Sequence, residues 1–172
     1  NINHIRPLEK RKIDILFASS RLTRHVKNFN LALNIFNSKE IIKSGIKIVV
    51  VGNNFNNFIT KNKNKNVKFM GFQKNSNLIK LMCNTKLVLC TSYFDASPNL
   101  ISEAISCGSN ILCSTNCGWS ETYNKASVCK DVYDVNEWNN KIFKLLTTKQ
   151  HFNLNIEKNK NNFNEYIQRL LI

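Results

Sequence analysis

The residues best placed to do chemistry lie just beyond an apolar run ending at Cys90. Asp95 and Glu103 are separated by seven residues, with Ser97, Pro98, Asn99 and Leu100 between them. Proline fixes φ near the helical value, so Pro98 is expected to open a helix at its first position. A helix start presents backbone N–H groups without partners inside the helix, and the helix dipole adds positive potential there. Ser97, Asn99 and Leu100 would supply such donors, whereas Pro98 has none. Carboxylates accept hydrogen bonds from hydroxyls, and amides donate to phosphates. Two carboxylates beside an amide-rich helix start therefore suit a ligand carrying both groups, as a nucleoside diphosphate-sugar does.

Other chemistries lack their residues. No Walker loop and no G-x-G-x-x-G loop is present, which excludes the standard ATP and dinucleotide fingerprints. The cysteines (Cys83, Cys90, Cys107, Cys113, Cys117 and Cys129) form no C-x-x-C pair, and His4, His25 and His151 are scattered, so no metal site is expected. Most of the cysteines sit in apolar runs, as buried free thiols of a reducing, cytoplasmic compartment would. The formal charge of +14 has two readings. One is attraction to an anion: nucleic acid, an anionic membrane surface or the phosphates of a small ligand. The other is compositional drift toward Asn, Lys and Ile, as in the alternating Lys and Asn of residues 61–66, which reads as a solvated loop. Charge alone does not make a nucleic-acid binder, and no specific nucleic-acid partner is expected.

The elements that must position Asp95 and Glu103 follow from periodicity. Short apolar runs at 13–18, 46–51, 67–70, 87–90, 111–113 and 127–129 read as buried strands. Between them lie stretches of helical length: one around Val26 to Phe36, one expected to be capped by Ser76, one opened by Pro98, and two final helices over 136–147 and 156–171. Continuous apolar strands alternating with helices predict an α/β fold. This would be a doubly wound, mostly parallel six-stranded sheet of Rossmann-like type, with helices on both faces. Such sheets bind ligands at the carboxyl ends of their strands. The segments after Ala18, Val51, Met70, Cys90 and Cys113 are thus the expected walls of the site. Residues 1–12 have neither an initiator Met nor the apolar core of a signal peptide. They read as a linker from a missing N-terminal domain, with one domain over 13–150 and a C-terminal helix over 151–172.

Asp95 and Glu103 also stand in a longer register with Ser92, Pro98, Ala104, Gly108, Asn110 and Ile111. This resembles the S-x-x-E-x-x-P-x-x-x-x-E-A-x-x-x-G-x-P-V pattern in the C-terminal domain of retaining family 4 (group 1) glycosyltransferases. Asp95 replaces the first Glu, and Asn110 replaces the Pro before the next strand. Further landmarks keep their order. Ser20-Arg21-Leu22 and Lys27-Asn28 stand for G-R-L and K-G, Val51-Gly52 for a strand ending in V-G, and residues 66–72 for N-V-x-F-x-G-F. Gly118-Trp119-Ser120-Glu121 stands for a late G-x-x-E.

The resemblance, which spans about 12–132, implies the donor-binding half of a two-Rossmann (B-type) enzyme. Arg21 and Lys27 would clamp the diphosphate, and Glu103 would accept from the ribose hydroxyls. Asp95 would meet the donor sugar, and the backbone from Ala96 to Leu100 its phosphate. Gly52, Gly71 and Phe72 would border the base, with Trp119 and Glu121 at most on the rim. The donor would be a UDP- or GDP-sugar with no cofactor, and transfer would proceed with retention. The acceptor, a glycan, lipid or protein, would be held by the missing N-terminal domain, and an anionic membrane surface could serve a lipid acceptor. Two other readings remain open: a catalytically degenerate nucleotide-sugar-binding module, favoured by Ser20, Asn28 and Asp95, and a basic domain for nucleic acid or membrane surfaces. A nucleotide-sugar epimerase of related fold ranks below the transferases.

Overall fold

The structure, a computed structural model, describes residues 6–118, 120 and 123–150. The predicted helix over 156–171, Trp119, Glu121, His4 and His151 lie outside the described residues.

Six strands form one sheet: β1 (Ile13–Arg21), β2 (Ile48–Asn53), β3 (Val67–Phe69), β4 (Thr85–Cys90), β5 (Asn110–Ser114) and β6 (Val128–Cys129). Every neighbouring pair is parallel, and the order is β3-β2-β1-β4-β5-β6. The chain therefore builds outward from β1 on one side, then crosses back to lay β4 against the other side. That reversal between β1 and β4 opens a crevice at their carboxyl ends.

The helices are α1 (Phe29–Phe36), α2 (Lys39–Ser44), α3 (Asn56–Ile59), α4 (Asn75–Cys83), α5 (Asn99–Ser106) and α6 (Val135–Thr147). Side chains alternate across a strand, so an uninterrupted apolar run feeds two cores at once. Ile15, Phe17, Ile48, Val50, Leu87 and Leu89 join Phe29, Phe36, Ile41 and Trp138, from α1, α2 and α6, on one face. Leu16, Val49, Val51, Val88, Ile111 and Cys113 join Ile79, Met82, Ile101 and Ala104, from α4 and α5, on the other. Burying each such Leu, Ile or Val side chain stabilises the fold by about 1.5–3 kcal/mol. No helix among the described residues is long and apolar enough to cross a membrane.

Two local expectations shift. Ser76 lies inside α4, whose N-cap is Lys74 without a side-chain cap bond. Pro98 is the N-cap of α5 rather than its first residue; ψ of 95° keeps it extended, so the helix begins at Asn99. Ahead of β1, a short 3₁₀ turn at Leu8–Lys10 is followed by the buried Arg11. Asn110, standing where the resembled pattern has Pro, ties the end of α6 to β5. Its amide donates to the carbonyls of Leu145 and Thr148, and its Oδ1 accepts from the Gln150 N–H at 2.9 Å. Two carbonyls near the end of α6 are satisfied in this way.

Candidate functional site

A cavity of about 310 Å³ opens at the β1–β4 reversal, within the size range of small-ligand sites. Its walls come from the ends of β1 and β2, the turn after β3, the start of α4, and the loop joining β4 to α5.

Of the sequence-derived candidates, Lys27, Phe72, Asp95, Ser97, Pro98, Asn99, Leu100 and Glu103 line this cavity. Glu103 projects from the second turn of α5 and is half-buried. No acidic residue occupies the first turn of α5, so its positive end is not screened by its own side chains. The N–H groups of Asn99 and Leu100 take no hydrogen-bond partner among the described residues, whereas that of Ile101 already donates to the Pro98 carbonyl at 2.9 Å. Lys27 and Asp95 form a partly buried ion pair across the crevice. The two loops bearing them are also tied through the backbone. The Thr91 hydroxyl reaches the Lys27 and Asn28 carbonyls at 3.1 and 3.0 Å, and the Tyr93 N–H donates to Val26 at 2.9 Å.

Arg21, Gly52 and Gly71 stand outside the lining. The cause at Arg21 is an irregularity in β1. Ala18 pairs with Val51 and Arg21 with Asn53, so three steps along β1 span two along β2. An extra residue re-aims the side chains beyond it, and Arg21 is exposed at the strand end. Arg24, three residues on, lines the cavity instead. Its sequence signal was lost among the many other basic residues. Gly52 serves the backbone. At φ 153° a Cβ would strike the Ser19 carbonyl oxygen and approach Leu22 Cδ2 to 2.8 Å, while the Gly52 N–H donates to the Gly71 carbonyl at 2.9 Å. The exposed ring of Phe72 and Gln73, whose amide donates to the Met70 carbonyl at 2.9 Å, form the wall beyond.

Asn28, at the position of a pattern glycine, has φ 49° and ψ 50° and caps α1, its side chain accepting from the Leu31 N–H. Asparagine is the non-glycine residue best suited to that left-handed backbone. Ser20, at the other such position, sits in extended β1 and faces the cavity. No group of three or more metal-binding side chains occurs among the described residues. The six cysteines are free thiols, all buried except the half-buried Cys83.

The family description "Glycosyl transferases group 1" matches residues 2–169, nearly the whole chain. The chain belongs to this family. Among curated proteins no sequence matches it. Several solved structures are similar at low identity. WaaG, a glycosyltransferase involved in lipopolysaccharide biosynthesis, aligns at 19% identity and TM-score 0.65 over 85% of this chain and 40% of that one. TarM aligns at 19% identity and TM-score 0.69, over 96% of this chain and 36% of its own. The catalytic domain of cholesterol-alpha-glucosyltransferase from Helicobacter pylori aligns at 17% identity and TM-score 0.61, covering 92% and 98%. The chain thus spans well under half the length of WaaG or TarM and nearly all of the third.

Proposed function

We propose that this chain is the donor-binding half of a retaining glycosyltransferase, taking a nucleoside-diphosphate sugar in the β1–β4 cavity. The observation that carries the reading is the meeting of three kinds of group at one strand-end crevice. Arg24 and Lys27 supply positive charge, the Asn99 and Leu100 amides supply donors, and Glu103 supplies an acceptor. A diphosphate at the amides and cations would leave the ribose hydroxyls within the sphere of Glu103. The donor sugar would lie toward Asp95. As the glycosidic bond breaks, negative charge grows on the leaving diphosphate, and pre-set cations and amides stabilise it without reorganising. In this assignment Arg24 takes the role the resemblance gives to Arg21. The acceptor, a glycan, lipid or protein, would meet the open side of the cavity on a further domain. A variant of S. aureus TarM solved with UDP supports a uridine nucleotide as the first ligand to try; GDP is the second.

Calorimetric titration with UDP and GDP tests the reading. One of the two should bind, and Glu103→Ala should weaken it about thirtyfold, the loss of about 2 kcal/mol expected for hydrogen bonds to a charged group. Binding of neither nucleotide would sink the proposal. Strongly salt-dependent binding of anionic vesicles or nucleic acid that survives Glu103→Ala would favour a basic surface domain instead.

A further inference from the structure

The loop that carries Asp95, Ser97 and Pro98 is held in place from outside. Its support is the turn after β5. The Asp95 N–H donates to the Asn116 carbonyl at 3.2 Å, and the Gly118 N–H donates to the Asp95 carbonyl at 2.7 Å. Asp95 and Cys117 form an isolated parallel bridge. The supporting turn is itself anchored. Cys117 is buried with its sulfur 3.6 Å from Cys90 Sγ and 3.6 Å from Ser114 Oγ, and the Ser114 hydroxyl donates to the Ser92 carbonyl at 2.6 Å.

The two loops come closest at Gly118. A Cβ there would overlap the Ala96 carbonyl oxygen and lie 2.6 Å from the carbonyl carbon. Gly118 is not among the glycines with positive φ. Its backbone is therefore open to any residue, and space rather than conformation is what excludes a side chain. A backbone carbonyl, unlike the tip of a long side chain, cannot swing aside alone; the peptide must move.

We propose that Gly118 is a positioning residue of the donor site. Its bare Cα sets how deep the Asp95–Pro98 segment lies, and so aims Asp95 at Lys27 and the first amides of α5 into the cavity. This inference rests on the donor-site reading given above.

Hydrogen exchange and nucleotide titration on the full chain test it together. The comparison is between wild type, Gly118→Ala, and Gly45→Ala as a control. Gly45 ends α2 at φ 69° with nothing within 4 Å of a Cβ, so alanine there strains the backbone without touching the site. In Gly118→Ala, the hydrogen-bonded amides of Asp95 and Ile101 should exchange at least tenfold faster and affinity for the nucleoside diphosphate should fall at least fivefold. Gly45→Ala should leave both at the wild-type values. Should Gly118→Ala fail to fold, Ser114→Ala loosens the same turn without a clash, and should raise exchange at the Asp95 and Ile101 amides about threefold and weaken the nucleotide in step. Unchanged exchange in these variants, or faster exchange with undiminished affinity, overturns the proposal. Absence of nucleotide binding by the wild type overturns the donor-site reading and the proposal with it, and is recognised because it precedes any substitution.

Discussion

The two ends of the sheet handle positive charge in opposite ways. At the amino edge Arg11 is 5% exposed. Its guanidinium donates to the carbonyls of Arg6 (2.8 Å), Thr85 (2.6 Å) and Cys107 (3.0 Å) and to Ser109 Oγ (3.1 Å). At the carboxyl edge Arg24 is exposed and Lys27 half-buried, and the charge of Lys27 is met by Asp95 across an open cavity. A buried cation whose donors are taken up by backbone carbonyls is a fixture. One that faces an open crevice remains available to a ligand. The same residue type thus holds the fold at one end and, in the proposed function, serves the ligand at the other.

The largest test of this contrast is Arg11→Leu. It leaves buried carbonyls without donors and should cost about 3 kcal/mol, read as a fall of roughly 6–12 °C in Tm. Nucleotide affinity measured below the transition should not change; a parallel loss of affinity would break the distinction between the ends. Next in size, Arg24→Ala should weaken the nucleoside diphosphate about tenfold, while Arg21→Ala should change it less than twofold, with Tm within about 2 °C for both exposed positions. The reverse order would restore Arg21 to the clamp. The smallest effect belongs to Cys83. The neighbouring Cys107 thiol and the Arg11 guanidinium work against burial, and the Cys83 thiol is pushed down to about 7. The thiolate is the reactive form, so iodoacetamide labelling of Cys83 should rise through about pH 7 rather than above pH 8 as for an ordinary thiol. The other thiols should stay unlabelled in the native protein, and labelled protein should still bind nucleotide.

Much of the architecture was legible because one signal was strong. Uninterrupted apolar runs such as Leu87 to Cys90 must be covered on both faces, which requires helices on both sides and therefore parallel strands. The short helices α2 and α3 were not legible. With six and four residues they are too brief to show a period, and helices this short are held by tertiary packing, here at Ile41 and Phe58. In the candidate site, Asp95, Pro98 and Glu103 could be placed together because they share a loop and its helix. Arg21 could not be separated from Arg24, because the extra residue in β1 leaves no mark in the letters between Ala18 and Leu22. Gly118 could be matched to a pattern, but the Ala96 peptide that denies it a side chain is 22 residues away in sequence.

The left-handed backbone at Asn28 bears on how such a sequence can change at all. Both non-glycine residues with positive φ among the described residues are asparagines, Asn28 and Asn54. A composition drifting toward asparagine can replace a glycine at such a slot while the turn survives, since the short amide side chain bonds locally and pays little of the strain that a branched residue meets there. A glycine and an asparagine can thus meet the same dihedral angle at position 28, so a comparison of letters alone understates how alike two such loops beside the cavity can be.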